Sequence, residues 1–443
     1  MHGGALKIAV VGSGISGLSA AWLLNQRHDV VLYEQDGRLG GHSNTVLFGQ
    51  GDDAVAVDTG FIVYNEATYP NLTALFRHIG VETQPSDMSF AVSIAGGDLE
   101  YSGANLAGLF AQKRNLFRPR FWSMLHDLQR FYREAPAQVT ALDQMQTTLS
   151  DFLAAGRYGA AFRDDHLLPM AGAIWSASPQ AILNYPAASF LRFQDNHGLL
   201  RWRNRPQWRT VSGGSRRYVD VLARGLPTRR GARAVSVGDD GNVEIIDAQG
   251  QRDRFDHVVI ATHADQAVRL LAEPTATERS LLGAFKYARN SVHLHDDPSL
   301  MPRRRGVWSS WNYLGDDRMG VEQGPTVTYW MNLLQGIRSE RPLFVTLNPA
   351  RTPRETFYAV EYDHPLFDDR AMSVQRQLWS LQGKRNIWFC GSYFGSGFHE
   401  DGLQAGLAVA EAIGGVMRPW QLENPSSRIV VGERPSVSLG VSA

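Results

Sequence analysis

Residues 7–17 read Lys-Ile-Ala-Val-Val-Gly-Ser-Gly-Ile-Ser-Gly, and the fold is decided there. Ile8 to Val11 form an apolar, β-branched run of the kind a buried parallel strand requires. Gly12, Gly14 and Gly17 follow in G-x-G-x-x-G spacing. In that pattern the first glycine permits a tight turn. The second lets a pyrophosphate approach the backbone, and the third lets the next helix pack close to the strand. Leu18 to Gln26 have helical character, so the N-terminal N–H groups of this segment face the turn and favour an anion there. Ser13, Ile15 and Ser16 lie inside the same loop.

A glycine pattern alone is weak, because Gly-rich turns are common, but the surrounding context is complete. A second apolar strand, Asp29 to Tyr33, ends in Glu34, 20 residues beyond Gly14, where an acceptor for ribose hydroxyls belongs. Glu34 is followed by Gln35, Asp36, Gly37, Arg38, Leu39, Gly40, Gly41, His42 and Ser43. A simple nicotinamide-binding domain has no need of this second double glycine. The run resembles the E-x-x-x-R-x-G-G-R stretch of the flavin amine oxidase superfamily, in which the double glycine brings a second loop onto the FAD pyrophosphate. His42 stands where that family usually has Arg, and a neutral imidazole lacks the fixed bidentate charge of a guanidinium.

With 443 residues, the chain is too long for one simple core, and two packed domains are expected. Its 43% hydrophobic content suits a soluble globular protein. No run of 18 apolar residues is present, which predicts no transmembrane helix. The first strand begins so early that no signal peptide is expected. Cys390 is the only cysteine, which excludes a disulfide within the chain and any cysteine metal cluster. A cytoplasmic location follows as the expectation. Formal net charge is zero, which argues against bulk nucleic-acid binding. Only Lys7, Lys113, Lys286 and Lys384 are lysines, so 44 − 4 leaves 40 arginines, several of them clustered.

Val55 to Val63 is strand-like and broken by Asp58-Thr59-Gly60; residues 69–79 read as a helix capped by Gly80. Phe90 to Ile94 and Asp98 to Tyr101 predict a hairpin around Gly96-Gly97. Ala104 to Ala135 is helical in pattern with a break near Pro119, and it interleaves Phe117, Phe121 and Trp122 with Lys113, Arg114, Arg118, Arg120, Arg130 and Arg133. Two readings stand: a domain helix with one solvated face, or an amphipathic segment facing lipid headgroups. Ser150 to Arg163 and His166 to Trp175 read as further helices. Residues 201–209 and Arg303-Arg304-Arg305 with Trp308 and Trp311 repeat the basic and aromatic mixture, which favours an anionic membrane surface. Arg233 to Val237, Val243 to Asp247 and Asp256 to His263 are strands with a turn at 239–241.

The C-terminal signature is the second strong one. Asn386 to Cys390 is a strand ending at Gly391, followed by Ser392-Tyr393-Phe394-Gly395-Ser396-Gly397-Phe398-His399-Glu400-Asp401-Gly402-Leu403 and a helix of small residues over Gln404 to Ile413. Strand, glycine, loop and helix again resemble the amine oxidases, nearly 380 residues from the first glycines. The resemblance implies an α/β fold with a Rossmann-like, glutathione-reductase-like FAD-binding domain, a parallel sheet plus β-meander, and a discontinuous mixed α+β substrate domain. The implied segments are 1–75, 210–288 and 380–418 for FAD and 76–209 and 289–379 for substrate and membrane; beyond them the Pro, Ser and Gly content suggests an extended or disordered tail over 419–443. The resemblance implies non-covalent FAD held by the first loop, by Glu34, Gln35 and Arg38, and by Gly40, Gly41, His42 and Ser43. Thr59, Gly60, Phe61 and Ile62 would pass the flavin ring, the strand backbone near Val235 would hydrogen-bond the adenine, and Ala261 would also contact the cofactor. Gly391 and Ser392 would meet the pyrophosphate, with Gly402 and Leu403 at a helix end aimed at the flavin.

Further motifs narrow the subgroup. Asp58-Thr59-Gly60-Phe61-Ile62-Val63-Tyr64-Asn65, Tyr362-Asp363-His364-Pro365 and Gly397 to Gly402 together resemble bacterial FAD oxidoreductases encoded beside cyclopropane-fatty-acyl-phospholipid-synthase-like methyltransferases. That resemblance implies dehydrogenation or desaturation of a modified fatty-acyl chain, by hydride transfer to flavin N5 and loss of a neighbouring proton. The implied partners are a fatty-acyl phospholipid, an anionic membrane surface at the inner face of the cell membrane and a lipid methyltransferase. A homodimer is compatible, and nucleic acid is not expected. Asn290 falls at the apparent position of the amine oxidases' Lys near N5. His399 is the first candidate base, with Glu400, Asp401 and Tyr64 behind it. An amine oxidase and a non-catalytic FAD-binding scaffold stay open as alternatives; an intact cradle without a substrate tunnel would favour the scaffold.

Overall fold

Burial of the first strand governs the architecture. Ile8 to Val11 are at most 4% exposed and sit inside a five-stranded parallel sheet. Lys7–Val11 pairs on one side with Asp29–Glu34, Val10 opposite Leu32. On the other side it pairs with His257–Ile260, Val10 opposite Val259. Thr228–Arg230 and Ile387–Phe389 form the two edges. The computed structural model describes residues 4–51, 54–142, 147–200, 205–238, 241–315 and 325–432. An antiparallel meander of Ala232–Val237, Val243–Asp247 and Arg252–Phe255 completes the nucleotide domain.

The second layer is a seven-stranded mixed sheet running Thr356–Leu366, Lys286–His295, Phe344–Leu347, Thr326–Trp330, Trp311–Gly315, Phe90–Ile94 and Leu99–Ser102. Only Trp311–Gly315 and Phe90–Ile94 run parallel. Pro119–Leu142 and Leu168–Trp175 pack on it, and Ala187–Asn196 packs in turn on Pro119–Leu142. The arrangement is the α/β fold with parallel and mixed sheets that the motifs implied. The hairpin at 96–97 forms as expected. Gly241 closes the meander turn, and residues 239–240 lie outside the described residues.

The boundaries shift where apolar burial outweighs local pattern. Phe76, Phe367, Ala371 and Leu378 belong to the nucleotide-domain core, so that core extends past residue 75 and begins again before 380. The tail expectation is corrected more sharply. Residues 419–432 are packed: Trp420 stacks on Trp22 with ring centroids 6.2 Å apart, and Ile429 joins the main core. Arg418 donates to Asn71 Oδ1 (2.9 Å) and to the Pro425 carbonyl (2.8 Å). Residues 433–443 of the expected tail lie outside the described residues.

Candidate functional site

A cavity of about 1380 Å³ runs from the glycine loop into the second layer. It exceeds the ~300–1,000 Å³ typical of small-ligand sites, leaving room for a dinucleotide and a separate chamber. At the cradle end the glycines have distinct tasks. Gly12 has φ +103°, and a Cβ there would lie 2.8 Å from the Ala261 carbonyl oxygen. Gly14 is the reverse: a Cβ there meets nothing within 4 Å, so the missing side chain leaves the cavity open where a phosphate must approach. Gly41 approaches Gly14, its hypothetical Cβ 3.1 Å from Gly14 Cα. Gly14 is also the N-cap of the helix Ile15–Leu24, whose first residues Ile15 and Ser16 line the cavity.

Glu34 reaches this cradle with its carboxylate already oriented. Its Oε2 accepts from the Ser13 N–H (2.9 Å) and the Ser13 hydroxyl, and its Oε1 accepts from the Asp36 N–H (3.0 Å). Gln35 and Arg38 line the same end, Arg38 donating to the Gly41 carbonyl (2.7 Å). Ala261, Gly391 and Ser392 complete it. Gly17 and Gly40 do not line the cavity; a Cβ at Gly40 would meet the Ser43 carbonyl at 2.6 Å, so this glycine serves packing.

The loop Thr59, Gly60, Phe61 and Ile62 lines the centre. It is fixed by the Phe61 N–H donating to the His42 carbonyl (2.7 Å). Asp58, just before it, accepts from the Ser215 N–H (2.9 Å) and from Gln335 Nε2 (3.0 Å). Burial raises the Asp58 carboxyl to about 6, against the opposing pull of its Thr45 and Ser215 hydrogen bonds. His42 stacks on Tyr362 at 4.7 Å, beside His364 and His263. Burial and these neighbours hold its pKa well below the usual imidazole range, so it brings no fixed charge to a pyrophosphate.

His399 lines the cavity, stacked on Phe61 with centroids 3.7 Å apart and planes 8° from parallel. Its Nε2 is engaged by the Tyr218 hydroxyl (2.5 Å) and the Ser43 hydroxyl (3.3 Å), and burial lowers its pKa to about 3. Ser43 thus acts through His399 and does not itself line the cavity.

Several expected site residues face elsewhere. Glu400 is buried with Oε1 accepting from the Asn71 N–H (3.0 Å) and Oε2 from the Leu72 N–H (3.0 Å), which satisfies the start of the helix Pro70–Ile79. Asp401 accepts from the Ser396 (3.0 Å) and Phe398 (2.8 Å) N–H groups and pairs with Arg428 Nε at 2.6 Å. Both carboxylates are structural: neither lines the cavity, and the hydrogen-bonding capacity of each is taken up by donors of the protein itself. Tyr64 donates to Thr83 Oγ1 (3.2 Å), away from the cavity. The C-terminal helix spans His399–Ile413, so its first turn precedes Gly402. Gly402 instead permits helix packing: its hypothetical Cβ would lie 2.8 Å from Ser16 Oγ, and Leu403 is fully buried. Val235 is buried, its carbonyl accepting from the Ala272 N–H (2.9 Å), and Ala232 and Arg233 take its place in the lining. Asn290 bonds Asn348 (2.7 Å) and the Ala288 carbonyl (3.0 Å); the cavity sees Val292 of the same strand.

The far chamber is walled by aromatic and aliphatic side chains, among them Phe90, Met170, Trp175, Trp208, Trp311 and Tyr329. Its presence removes the condition that would have favoured a scaffold. Two histidines there escaped the sequence reading. Nδ1 of His197 lies 2.9 Å from the Phe193 carbonyl, which can only accept, so Nδ1 carries the proton and Nε2 the lone pair. That Nε2 is buried without a protein partner, and His197 lines the cavity between Phe193 and Phe398. Burial and the Arg428 charge lower its pKa to about 3 despite the Phe193 bond. His166 also lines the chamber, its Nδ1 2.9 Å from the Tyr101 hydroxyl and its Nε2 unpartnered. No local motif marks either residue: His166 lies within a helical turn and His197 caps the end of the helix Ala187–Asn196.

Comparison with known families gives the decisive observation: residues 15–297 match the model of flavin-containing amine oxidoreductases. The chain belongs to that family. Its cofactor is FAD, and the glycine loop, Glu34 and the open space over Gly14 fit that group. Solved structures of the same fold include a putrescine oxidase redesigned in its cofactor binding, at TM-score 0.67 and 15% identity, covering 92% of this chain and 99% of that one. A CLA-producing fatty acid isomerase from P. acnes matches at 0.65 and 15%, covering 90% and 97%. Cyclohexylamine oxidase from Brevibacterium oxydans IH-35A matches at 0.63 and 18%, covering 92% and 98%. No curated protein sequence matches the chain. The protein is therefore an FAD-dependent oxidoreductase of the amine oxidase family. Cys390, the single cysteine, is fully buried and absent from the cavity wall, so it offers FAD no thiol.

Proposed function

We propose that this family member dehydrogenates a fatty-acyl chain, methylated or otherwise modified, carried on a membrane phospholipid. The observation that carries the reading is the apolar and aromatic wall of the far chamber. Of the charged residues lining it, Asp87 and Arg205 are exposed at its rim, and Glu361 and Asp363 pair with Arg289 (3.4 and 3.2 Å). An ammonium group entering the chamber would lose water without gaining a buried carboxylate, which is costly, whereas an acyl chain gains by the same transfer. The fold itself is compatible with either substrate, since its relatives include a fatty acid isomerase and amine oxidases.

Bound FAD supplies the two-electron acceptor. The chain's own residues supply orientation, exclusion of water and a proton acceptor. For the last role we take His197 first: it lines the chamber and its Nε2 has no protein partner, although that atom is covered and must turn to meet substrate, whereas the Nε2 of His399 is held by two hydroxyls. Anaerobic mixing of the FAD-loaded protein with modified fatty-acyl phospholipids and, separately, with mono- and polyamines tests the substrate class through bleaching of the flavin absorbance. Bleaching by an acyl lipid is expected. Bleaching by an amine alone assigns the protein to amine oxidation and ends the acyl-chain reading.

A further inference from the structure

Nine large apolar side chains are notably exposed among the described residues, and four of them fall within residues 106–122. Leu106 is 75% exposed, Leu116 43%, Phe117 86% and Trp122 49%. They are held together by the structure. The Leu106 carbonyl accepts from the Phe110 N–H (3.1 Å), placing both on one helical turn. Phe110 lies 5.8 Å from the Trp122 ring, and Trp122 Nε1 donates to the Leu116 carbonyl (2.9 Å). The turn beneath is pinned by Asn105 Oδ1, which accepts from the Gly108 N–H (2.8 Å). The helix Pro119–Leu142 already buries its other face through Phe121, Met124, Leu128 and Phe131, so the core makes no demand on this patch.

Charge and position both indicate what covers it. Lys113, Arg114, Arg118 and Arg120 surround the patch; Asp98 takes Arg114 and Arg118, and Asp165 takes Arg120, so cations exceed carboxylates. The exposed residues Gly103 and Ala104 also line the cavity, and Leu106 is two positions further on. The chamber therefore reaches the surface at the edge of the patch. Apolar knobs rimmed by arginines, with a Trp between them, match the headgroup boundary of an anionic bilayer. A second copy of this chain would instead bring like charges together.

We propose that Leu106, Leu116, Phe117 and Trp122 form the surface by which the protein seats on an anionic lipid bilayer, with the mouth of its chamber at Gly103–Ala104 turned toward the membrane. Docking deepens the acyl-chain reading by placing the substrate in the bilayer. A binding assay without turnover keeps the two separable.

The full-length FAD-loaded protein is sedimented with phosphatidylcholine vesicles, with and without phosphatidylglycerol, at low and high salt. Binding only to the anionic vesicles, weakened by salt, is expected. Leu106→Ser and Phe117→Ser, both at exposed positions, should each reduce partitioning about ten-fold or more while thermal unfolding stays unchanged, because each removes one side chain's worth of burial. Leu47→Ser, at a 68% exposed position on the separate strand Thr45–Phe48, should bind as wild type. Quenching of Trp122 by brominated lipid, measured as the part lost in Trp122→Phe, reports insertion directly. The proposal is overturned if the wild type ignores anionic vesicles, if Phe117→Ser binds as tightly as the wild type, or if the patch variants dissolve a dimer and leave vesicle binding intact.

Discussion

Replacing Arg428 with Met exposes how a segment far from the glycine loop supports the site. Arg428 donates to Asp401 through Nε (2.6 Å) and Nη2 (3.2 Å), and to the Thr68 carbonyl through Nη1 (3.0 Å). Its guanidinium lies over the Tyr69 and Phe398 rings. Asp401 is fully buried, and its two backbone donors do not replace a cation. Removing one partner of a buried pair costs about 3–5 kcal/mol, because the other charge is left uncompensated. Native stabilities are about 5–15 kcal/mol, so the loss should be plain in urea unfolding of the FAD-loaded protein. Burial already raises the Asp401 carboxyl and Arg428 opposes that shift, so in Arg428→Met the group titrates nearer neutrality. The destabilisation relative to wild type should then shrink as pH falls, because protonation relieves the unpaired charge. In Asp401→Asn/Arg428→Met the amide oxygen still accepts from Ser396 and Phe398, and most of the loss should be recovered, with a coupling of about 2 kcal/mol or more. A loss below about 1 kcal/mol for Arg428→Met, at every pH tested, would refute the assignment of residues 419–432 to the working fold.

The remaining expectations concern cofactor, chemistry and pH. Glu34→Ala should weaken FAD binding by about 1.5–3 kcal/mol, the worth of hydrogen bonds to a charged acceptor, measured by fluorescence titration of the apoprotein; unchanged affinity would break the ribose assignment. Denaturation should release FAD into the supernatant, and flavin retained on precipitated chain would show a covalent link. His197→Gln should keep bound FAD yet slow flavin reduction by the productive substrate roughly 10²–10⁴-fold, with His399→Ala less impaired; the opposite ranking moves the proton acceptor to His399. The imidazoles of buried His197 and half-buried His399 (about 3) and of buried His166 and half-buried His364 (about 4) all sit below their ordinary value of 6.5 because the charged form is desolvated. Their stabilising contribution is complete above pH 6.5 and is lost as pH falls toward the folded values, each at up to about 1.4 kcal/mol per pH unit. Asp58, raised to about 6, and the Glu400 and Asp401 carboxyls, also raised by burial, work the other way, and these three are outnumbered by nine lowered imidazoles, His42, His257, His263, His293 and His295 being lowered as well. Urea midpoints should therefore fall between pH 7 and pH 5, and a flat profile would show that these rings are not buried neutral in solution.

What could be read without coordinates was whatever the backbone itself constrains. The strand at 7–11, the G-x-G-x-x-G turn and Glu34 obey steric rules that act within a few residues, and the same holds for the Gly391 strand end and the hairpin at 96–97. These signals sufficed for the cofactor and the α/β class. They did not show where the side chains of one short loop would go. His399 faces the cavity while the next two residues turn away from it, because Glu400 is claimed by Asn71 and Leu72 and Asp401 by Arg428, partners that arrive from remote parts of the chain. His197 becomes a site residue only when the end of a helix of the second layer brings its ring beside Phe398 and leaves Nε2 without a protein partner. Of the three basic and aromatic stretches, the one at 303–311 has its central Arg304 tied to buried Glu100 at 2.7 Å and its Trp308 and Trp311 half-buried, and residues 201–204 lie outside the described residues. The stretch at 106–122 keeps its apolar face outward because Phe121 and Met124 have already filled the core beneath it. Local sequence determines which conformations the backbone can take; which donors, charges and apolar faces remain unclaimed is decided by competition for burial between segments hundreds of residues apart.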